Sequence, residues 1–425
     1  MLDINFIREN PDIVKHDLKK RELLDRIKWV DDLIIYDEEW RRLKQHSDSL
    51  RHKRNQISEE INKLVKEKKD ASNKIKEVKE LPDKIREAEQ KLNDLRSKID
   101  HILLRLPNIL DKSVPAGKDA SHNKQIRKWG RIKKQAFELK SHGELIESLG
   151  VADFKGAAKI SGSGFVYLKG SLALLDLSLQ RFAIDFLTKK GFTLIEPPLM
   201  MNRQAYEGVT DLAAFSDVLY KIEKEDLYMI ATSEHPLVAM HKDEIFDEKD
   251  LPIKYVGVSP CFRKEIGSHG VDTRGLFRMH QFNKVEQVVF CHPDDSHKIL
   301  EEIQKNSELL LKKLGIPYRV VSICSGDMGS IASKKYDIEA WFPREKEYKE
   351  VTSASNCTAY QAVSLNIKYK SDDGKAYLHT LNNTAIATSR TMRAILENYQ
   401  LKDGSVKVPA VLKKYMNGIS KISKI

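Results

Sequence analysis

The chain of 425 residues holds only four cysteines, Cys261, Cys291, Cys324 and Cys357, widely spaced and without a CxxC pair. That pattern argues against a disulfide scaffold and against a cysteine-based zinc site, and it suits a reducing, cytoplasmic setting. Long apolar runs are missing too. No stretch approaches the roughly 18 uncharged apolar residues of a membrane span, so no membrane partner is expected. The opening residues include Asp3, Arg8 and Glu9 and no apolar core, so a secretory leader is not expected. Neither GxGxxG nor GxxxxGK(S/T) occurs, so a nucleotide would need some architecture other than a glycine-rich phosphate loop.

Charge, in contrast, is plentiful. Lys and Arg number 73 against 62 Asp and Glu, a net of +11 at pH 7. Charged residues make up 32% and hydrophobic residues 41%, which points to long solvated helices attached to a folded core. The length suits two or three domains, each with its own core. A basic balance permits a nucleic-acid partner without establishing one.

Apolar residues recur at steps of three and four along Leu33, Tyr36, Trp40, Leu43, Ser47, Leu50, Arg54, Ile57, Ile61 and Leu64. This is a coiled-coil seam with polar slots at Ser47 and Arg54. A second seam runs through Ile75, Val78, Leu81, Ile85, Ala88, Leu92, Leu95, Ile99 and Ile102, after a short polar link at 67–72. Two such helices fold back into an antiparallel hairpin, an arm over about 30–105 within a first domain of 1–110. Pro82 lies inside the second seam and predicts a kink or a helix restart near Leu81. Residues 41–79 carry 13 basic and 6 acidic side chains. A solvated helix surface and a polyanion-binding tip both account for that, and composition alone does not choose between them.

After residue 110 glycines, histidines and short mixed segments take over, a linker and the entry to a second domain, 111–425. The spacing predicts an amphipathic helix over 170–190, then a short strand in the segment from Gly191 to Pro198. Strand-like runs follow at 255–263, 277–290, 318–323, 336–341 and 377–381, with helices at 295–314 and 390–399. Strands in runs, with helices between some of them, define an α+β domain on an antiparallel sheet.

Arg263 and Glu265 end one strand, a glycine-rich stretch follows at 267–275, and the next strand leads to Glu286, so the whole reads as a long hairpin. Period-two alternation puts Arg278, His280, Phe282, Lys284 and Glu286 on one face. Arginines, a ring and carboxylates together are costly to bury without a ligand, whereas a solvent-facing sheet with cross-strand ion pairs needs none. The second constellation, from Leu378 to Arg393, is strand, polar turn and helix. Ser389 is a good N-cap. Arg390 then falls in the first helical turn, where the helix dipole disfavours a cation unless an anion such as phosphate is bound. Two weaker groups are Thr232-Ser233-Glu234, a helix start with Thr232 or Ser233 as cap, and Glu350 to Thr358, a strand edge with hydroxyl-backed turns.

The joint order of these segments resembles the class II aminoacyl-tRNA synthetases. The hairpin with Phe262-Arg263-Lys264-Glu265 and the strand ending in Glu286 are similar to motif two. The Arg390 strand–helix is similar to motif three, and Gly191 to Pro198 to motif one, which in that family lies at the dimer interface. Within the class, nearly the whole chain resembles the seryl-tRNA synthetases. That closer likeness rests on Thr232-Ser233-Glu234, the segment 273–278, the run from Glu350 through Ser353 to Cys357, His379 to Thr384, Glu397 to Gln400, and the helical arm. Relatives that charge a carrier in place of tRNA lack the arm, and a non-catalytic descendant would be expected to have lost Arg263, Glu350 or Arg390.

The resemblance implies that serine is activated with ATP to seryl-adenylate and transferred to the 3′ end of tRNA(Ser), with tRNA(Sec) left open. It implies Arg263, Arg390 and Glu350 as catalytic residues. Arg263 would hold the α-phosphate and the serine carboxylate, and Arg390 the γ-phosphate. Phe282 would stack on adenine, with Lys264, Glu265 and Met279 beside it. Glu350, Val351, Thr352 and Ser353 would complete the ATP site, Glu350 and Ser353 as oxygen ligands of Mg²⁺. Thr232, Ser233 and Glu234 would take the serine ammonium. Glu286 and Thr384 would bond its hydroxyl, the one handle that separates serine from alanine or glycine. One subgroup binds serine through zinc and needs a cysteine where Thr232-Ser233-Glu234 stands, so no zinc is expected. Arg51, Lys53, Arg54, Lys63 and Lys66 on the arm would contact tRNA, and a homodimer is implied. His269 and Val271, in the hairpin loop, have no explanation in the family pattern.

Overall fold

The computed structural model describes residues 1–265 and 275–424. Two compact units are present: Leu2–Leu106, and Pro107–Ile425 together with Met1.

In the first unit, short helices at Ile4–Glu9 and Pro11–Lys20 precede two long ones, α1 (Ile27–Lys66) and α2 (Ser72–Leu103). Ion pairs Arg51–Glu89, Lys53–Glu77 and Lys74–Glu60 lace α1 to α2 in antiparallel order. The seam closes along most of its length, but Ile75, at the start of the second seam, is 40% exposed. Leu33, Ser47 and Ile57 are buried on α1, facing Leu81, Ile85, Ala88, Leu92, Leu95, Ile99 and Ile102 on α2. Arg54 leaves its slot in the seam and is exposed, since a guanidinium is cheaper to hydrate than to bury. Pro82 does not restart the helix, because α2 runs unbroken from Ser72 to Leu103. Its ring faces solvent, one backbone hydrogen bond is lost, and buried Leu81 and Ile85 hold the register on either side.

The second unit is built on an eight-stranded sheet. Its strands are β1 (Lys124–Trp129), β2 (Thr193–Ile195), β3 (Ile253–Phe262), β4 (Gln281–Cys291), β5 (Tyr318–Ser322), β6 (Lys334–Phe342), β7 (Glu347–Asn356) and β8 (His379–Ala387). Their spatial order is β1-β5-β6-β7-β8-β4-β3-β2, antiparallel throughout except for the parallel pair β2 and β3. Helices α3 (His142–Ser148), α4 (Gly170–Thr188), α5 (Glu234–Ala239), α6 (Ser296–Leu314) and α7 (Thr388–Asn398) complete the elements that matter for the site. Leu175 and Leu179 of α4, Ile303 and Leu310 of α6 and Ile395 of α7 pack with Val285, Val289, Ile338 and Leu381 of the sheet in one apolar core. Val288 and Phe290 of β4 enter a separate cluster with Leu237 of α5. Phe282, Lys284 and Glu286 share that second face by alternation, so the same face that is apolar at one end of β4 becomes polar at the other.

Several sequence expectations need correction. The segment from Glu350 is an edge only in part: β7 pairs with β6 along its length, whereas its pairing with β8 covers Ala354–Asn356, so Glu350 to Ser353 lie on an open edge as expected and the residues beyond do not. The strand expected from residue 277 begins only at Gln281. Arg278 and His280 therefore precede it, and the His280 N–H is taken by the Gly164 carbonyl at 2.9 Å. Ser389 does not cap α7, because Ala387 holds the cap position and no side chain bonds there. Arg390 does sit in the first turn of that helix. The loop expected at 267–275, with His269 and Val271, lies outside the described residues apart from Gly275. Two register shifts interrupt the regular pairing, one between Ile338 and Glu339 on β6 and one between Thr384 and Ile386 on β8.

Candidate active site

A cavity of about 430 Å³ opens on the polar end of this sheet face. Every site residue expected from the sequence of the second unit lines it except Ser233 and Lys264. Ser233 is fully buried. Lys264 turns its ammonium over the Tyr220 ring, 5.5 Å from the centroid.

One end of the cavity is small and dense in polar groups. The register sets Thr384 on β8 opposite Glu286 on β4. Thr384 Oγ1 donates to Glu286 Oε2 at 3.0 Å, and Lys284 Nζ reaches the same oxygen at 2.8 Å. In the sequence Lys284 is a face residue without a role, and alternation alone gives no sign that it pairs along its own strand. Glu234, at the start of α5, accepts from Gln361 Nε2 at 3.0 Å. Burial, reinforced by the nearby Glu286 carboxylate, pushes the Glu234 carboxyl up to about 7. The neighbouring His235 is pushed down to about 3 by burial and by Lys284 and Arg263, so it is neutral at ordinary pH. Phe215, which also lines this end, packs edge-on against it at 6.4 Å. Sequence reasoning misses that residue, since nothing in the segment around it carries a charge pattern or motif that points to a site.

The other end is cationic. Arg263, just past the end of β3, donates from Nε to the Ala231 carbonyl at 3.1 Å and lies 5.6 Å from the centroid of the Phe282 ring. Arg390 Nη1 donates to the Glu350 carbonyl at 3.1 Å and to its Oε1 at 3.0 Å. Burial raises the Glu350 carboxyl, but Arg390, Lys335 and Arg263 outweigh it and hold the group below its ordinary value. Its side chain stays 44% exposed because it faces the open cavity. Behind it, burial pushes Asp337 up to about 7 against the opposing charge of Lys335. Asp337 stands opposite Ser353 in the register, and its Oδ1 has no partner. Glu265 meets Arg278 at 3.7 Å, and Met279 lines the same region.

The first unit carries the expected arm residues as surface groups. Arg51 and Lys53 are half-exposed and paired with Glu89 and Glu77, and Arg54, Lys63 and Lys66 are exposed. Exposed pairs of this kind are worth about 0–1 kcal/mol, so a phosphate can replace the carboxylate at little cost.

A compact bed of hydroxyls and carboxylates, a cationic end and an antiparallel sheet together describe a class II aminoacyl-tRNA synthetase core. The sequence profile of the tRNA synthetase class II core domain (G, H, P, S and T) matches residues 219–399, and that of the seryl-tRNA synthetase N-terminal domain matches residues 1–110. A serine–tRNA ligase of Methanocella arvoryzae is 57% identical over 422 residues, covering 99% of both chains. The fold matches a crystal structure of seryl-tRNA synthetase from Pyrococcus horikoshii complexed with ATP, with a TM-score of 0.91, 49% identity and 100% of both chains covered. It also matches a cytoplasmic serine–tRNA ligase from Naegleria fowleri in complex with AMP, with a TM-score of 0.86, 37% identity, and 100% of this chain and 99% of the other covered. The chain belongs to the seryl-tRNA synthetase family. It is an aminoacyl-tRNA ligase.

Proposed function

We propose that the cavity holds serine at its dense polar end and ATP along its cationic end, joins them as seryl-adenylate, and passes the seryl group to tRNA(Ser). The observation that carries this is the Thr384–Glu286 hydrogen bond on the floor of the cavity, within the same lining as Glu234 and Arg263. Glu286 and Thr384 bond the serine hydroxyl, and Thr232 and Glu234 take its ammonium, with Ser233 behind them shaping the α5 start. The serine carboxylate attacks the α-phosphorus of ATP, and pyrophosphate leaves. Arg263 stabilises the charge that grows on the α-phosphate, and Arg390 holds the γ-phosphate. Phe282 stacks on adenine, whose edge is fixed by Glu265 and the backbone around Met279; Val351 and Thr352 line the phosphate path. Lys264 remains an outer residue of this site, reaching it through the strand end it shares with Arg263.

Glu350 and Ser353 offer the hard oxygen donors that Mg²⁺ prefers, and the buried Asp337 Oδ1 beside them lacks a hydrogen-bond partner. Mg²⁺ held there would neutralise phosphate charge. We propose no zinc. The amino-group site carries oxygen ligands, and burial raises the Cys357 and Cys261 thiols so that they stay protonated and are poor metal ligands.

Residues 1–110, with the arm at about 30–105, are proposed to bind tRNA through Arg51, Lys53, Arg54, Lys63 and Lys66, and residues 111–425 to carry catalysis. A homodimer is supported by the exposed apolar residues Leu177, Leu194, Leu199 and Met200 on and around α4 and β2. A cytoplasmic setting is supported by four free buried cysteines. Among the described residues, no helix is long and apolar enough to cross a membrane. ATP–pyrophosphate exchange with each of the twenty amino acids tests the whole reading. Exchange should depend on serine, and equal or better exchange with another amino acid would sink it.

A further inference from the structure

Phe277 lines the cationic end of the cavity, yet none of the chemistry above uses it. Its ring is surrounded by cations: Arg393 at 4.7 Å, Arg390 at 5.1 Å and Lys349 at 5.6 Å from the centroid. Arg393 is the unusual member, with no exposure at all. Its guanidinium lies 4.7 Å from the Phe277 ring and 4.6 Å from the Phe342 ring. Nε donates to Glu397 Oε1 at 3.0 Å, and Nη2 donates to Glu345 on the β6–β7 turn. An apolar side chain would fill such a place at lower desolvation cost. Arg390 stands three residues earlier on α7, so both guanidiniums project from one face of the helix and reach one ring.

A second connection runs from Glu397 to the backbone that carries Phe277. Glu397 Oε1 also faces His142 Nδ1 at 3.5 Å. A proton on Nδ1 leaves Nε2 free to accept, and the Leu276 N–H donates to it at 3.0 Å. Gly275 makes room for that bond. It has φ +152°, and a Cβ there would come within 2.0 Å of His142 Nε2.

We infer that Arg393 and Phe277 position the Arg390 guanidinium for the nucleotide phosphate, and that the Glu397–His142 pair fixes the backbone bearing Phe277. This rests on the reading of Arg390 as a phosphate ligand. Arg393 is held still by carboxylates on two elements and clamps the ring from its buried side. The ring then offers a fixed surface to Arg390, whose other restraint is Glu350. Arg393, Phe277, His142 and Glu397 are positioning residues, and the substrate class they tune is the nucleoside triphosphate, with serine unaffected.

The test uses the full chain carrying Arg393→Lys, Phe277→Leu or both, assayed by ATP–pyrophosphate exchange. Each single variant should raise the KM for ATP about tenfold and leave the KM for serine within about twofold. The double variant should be no worse than the worse single one, because residues acting through one chain of neighbours are not additive. His142→Gln, whose amide can donate to Glu397 and accept from Leu276, should keep the normal KM for ATP, and His142→Ala should raise it. Equal rises in both KM values, or additive effects in the double variant, would mean a merely structural role and overturn the inference. If Arg393→Lys does not fold, Phe277→Leu decides alone, and an unchanged KM for ATP in it overturns the inference. Arg390→Ala separates the two layers. Normal ATP use in that variant would sink the phosphate-ligand reading itself, whereas weak ATP use there beside normal use in Phe277→Leu would sink only the positioning.

Discussion

Thr384 and Glu286 face each other across β8 and β4, and the hydroxyl donates to Glu286 Oε2 at 3.0 Å. Lys284 Nζ binds the same oxygen at 2.8 Å, so both contacts fall on Oε2. The carboxylate is 1% exposed, so water cannot stand in for a missing hydroxyl at little cost.

Glu286→Ala should therefore damage amino-acid selection before it damages ATP use. Sites built around a substrate hydroxyl reject analogues that lack it by about 10⁴–10⁵, and removing the acceptor should cost at least about 10² of serine/alanine discrimination. Exchange assays with both amino acids measure it. A raised KM for ATP with an intact serine/alanine ratio would move Glu286 to the nucleotide.

Arg263→Ala should lower the rate of adenylate formation by about 10²–10³, the usual loss when one preorganised donor to a developing charge is removed. Its side-chain ties are local, the Nε bond to the Ala231 carbonyl and the contact with the Phe282 ring, so the unfolding midpoint should barely move. Normal exchange in the variant would remove Arg263 from the chemistry.

Glu234 should give serine binding a pH dependence. Its carboxyl is pushed up to about 7 by burial and by Glu286. Below that pH the empty site holds a proton that the serine ammonium must displace, so the KM for serine should rise as pH falls from 8 to 6. Stability responds with the opposite sign. A raised carboxyl favours the folded state at low pH, and that contribution is lost as pH rises through 7. Glu234→Gln should thus gain stability relative to the parent at pH 8, lose that gain at pH 5, and flatten the KM profile. A profile that keeps its slope in Glu234→Gln would assign the titration to another group.

The arm should be separable by function from the catalytic unit. Arg51→Ala or Lys63→Ala should raise the KM for tRNA and reduce the salt slope of binding by about one unit for each phosphate left without its cation. Deleting 30–105 should leave serine-dependent exchange within a few-fold and abolish tRNA charging. Charging that survives the deletion would refute the arm as the reader of tRNA.

Pro82→Ala should tighten α2 without touching chemistry. A proline in a helix interior costs about 3 kcal/mol relative to alanine, less where the partner helix already holds the turn. Hydrogen-exchange protection over 78–86 should rise while pyrophosphate exchange stays constant. Unchanged protection would mean that the turn is already fully formed.

Periodicity makes the arm legible, because a seam of apolar residues is a property of spacing alone. Pro82 misleads because a propensity acts locally, whereas Leu81 and Ile85 are held by the opposite helix. The site is legible wherever a charged side chain stands in an improbable place, as Arg390 does in a first helical turn. Glu350 reads as part of a strand edge, which it is on the β8 side, whereas the pairing of Ala354–Asn356 with β8, some thirty residues further along the chain, is not visible locally. Phe277 and Phe215 give no signal at all, since one aromatic among mixed residues looks the same in a cavity wall as in a core.

The two register shifts have a consequence in parity. Alternation sends side chains three apart to opposite faces of a strand. Asp337 pairs with Ser353 and Glu339 with Glu350, so the residue inserted between them brings Glu350 and Ser353 to the same side. The shift after Thr384 does the same for Thr384 and Ala387, both of which line the cavity. Each pair thus depends on one inserted residue, Val351 or Ala385, that packs in the apolar core. Removing Val351 would delete no proposed catalytic group, yet it would turn Glu350 away from the nucleotide, and the enzyme would fail by miscounting.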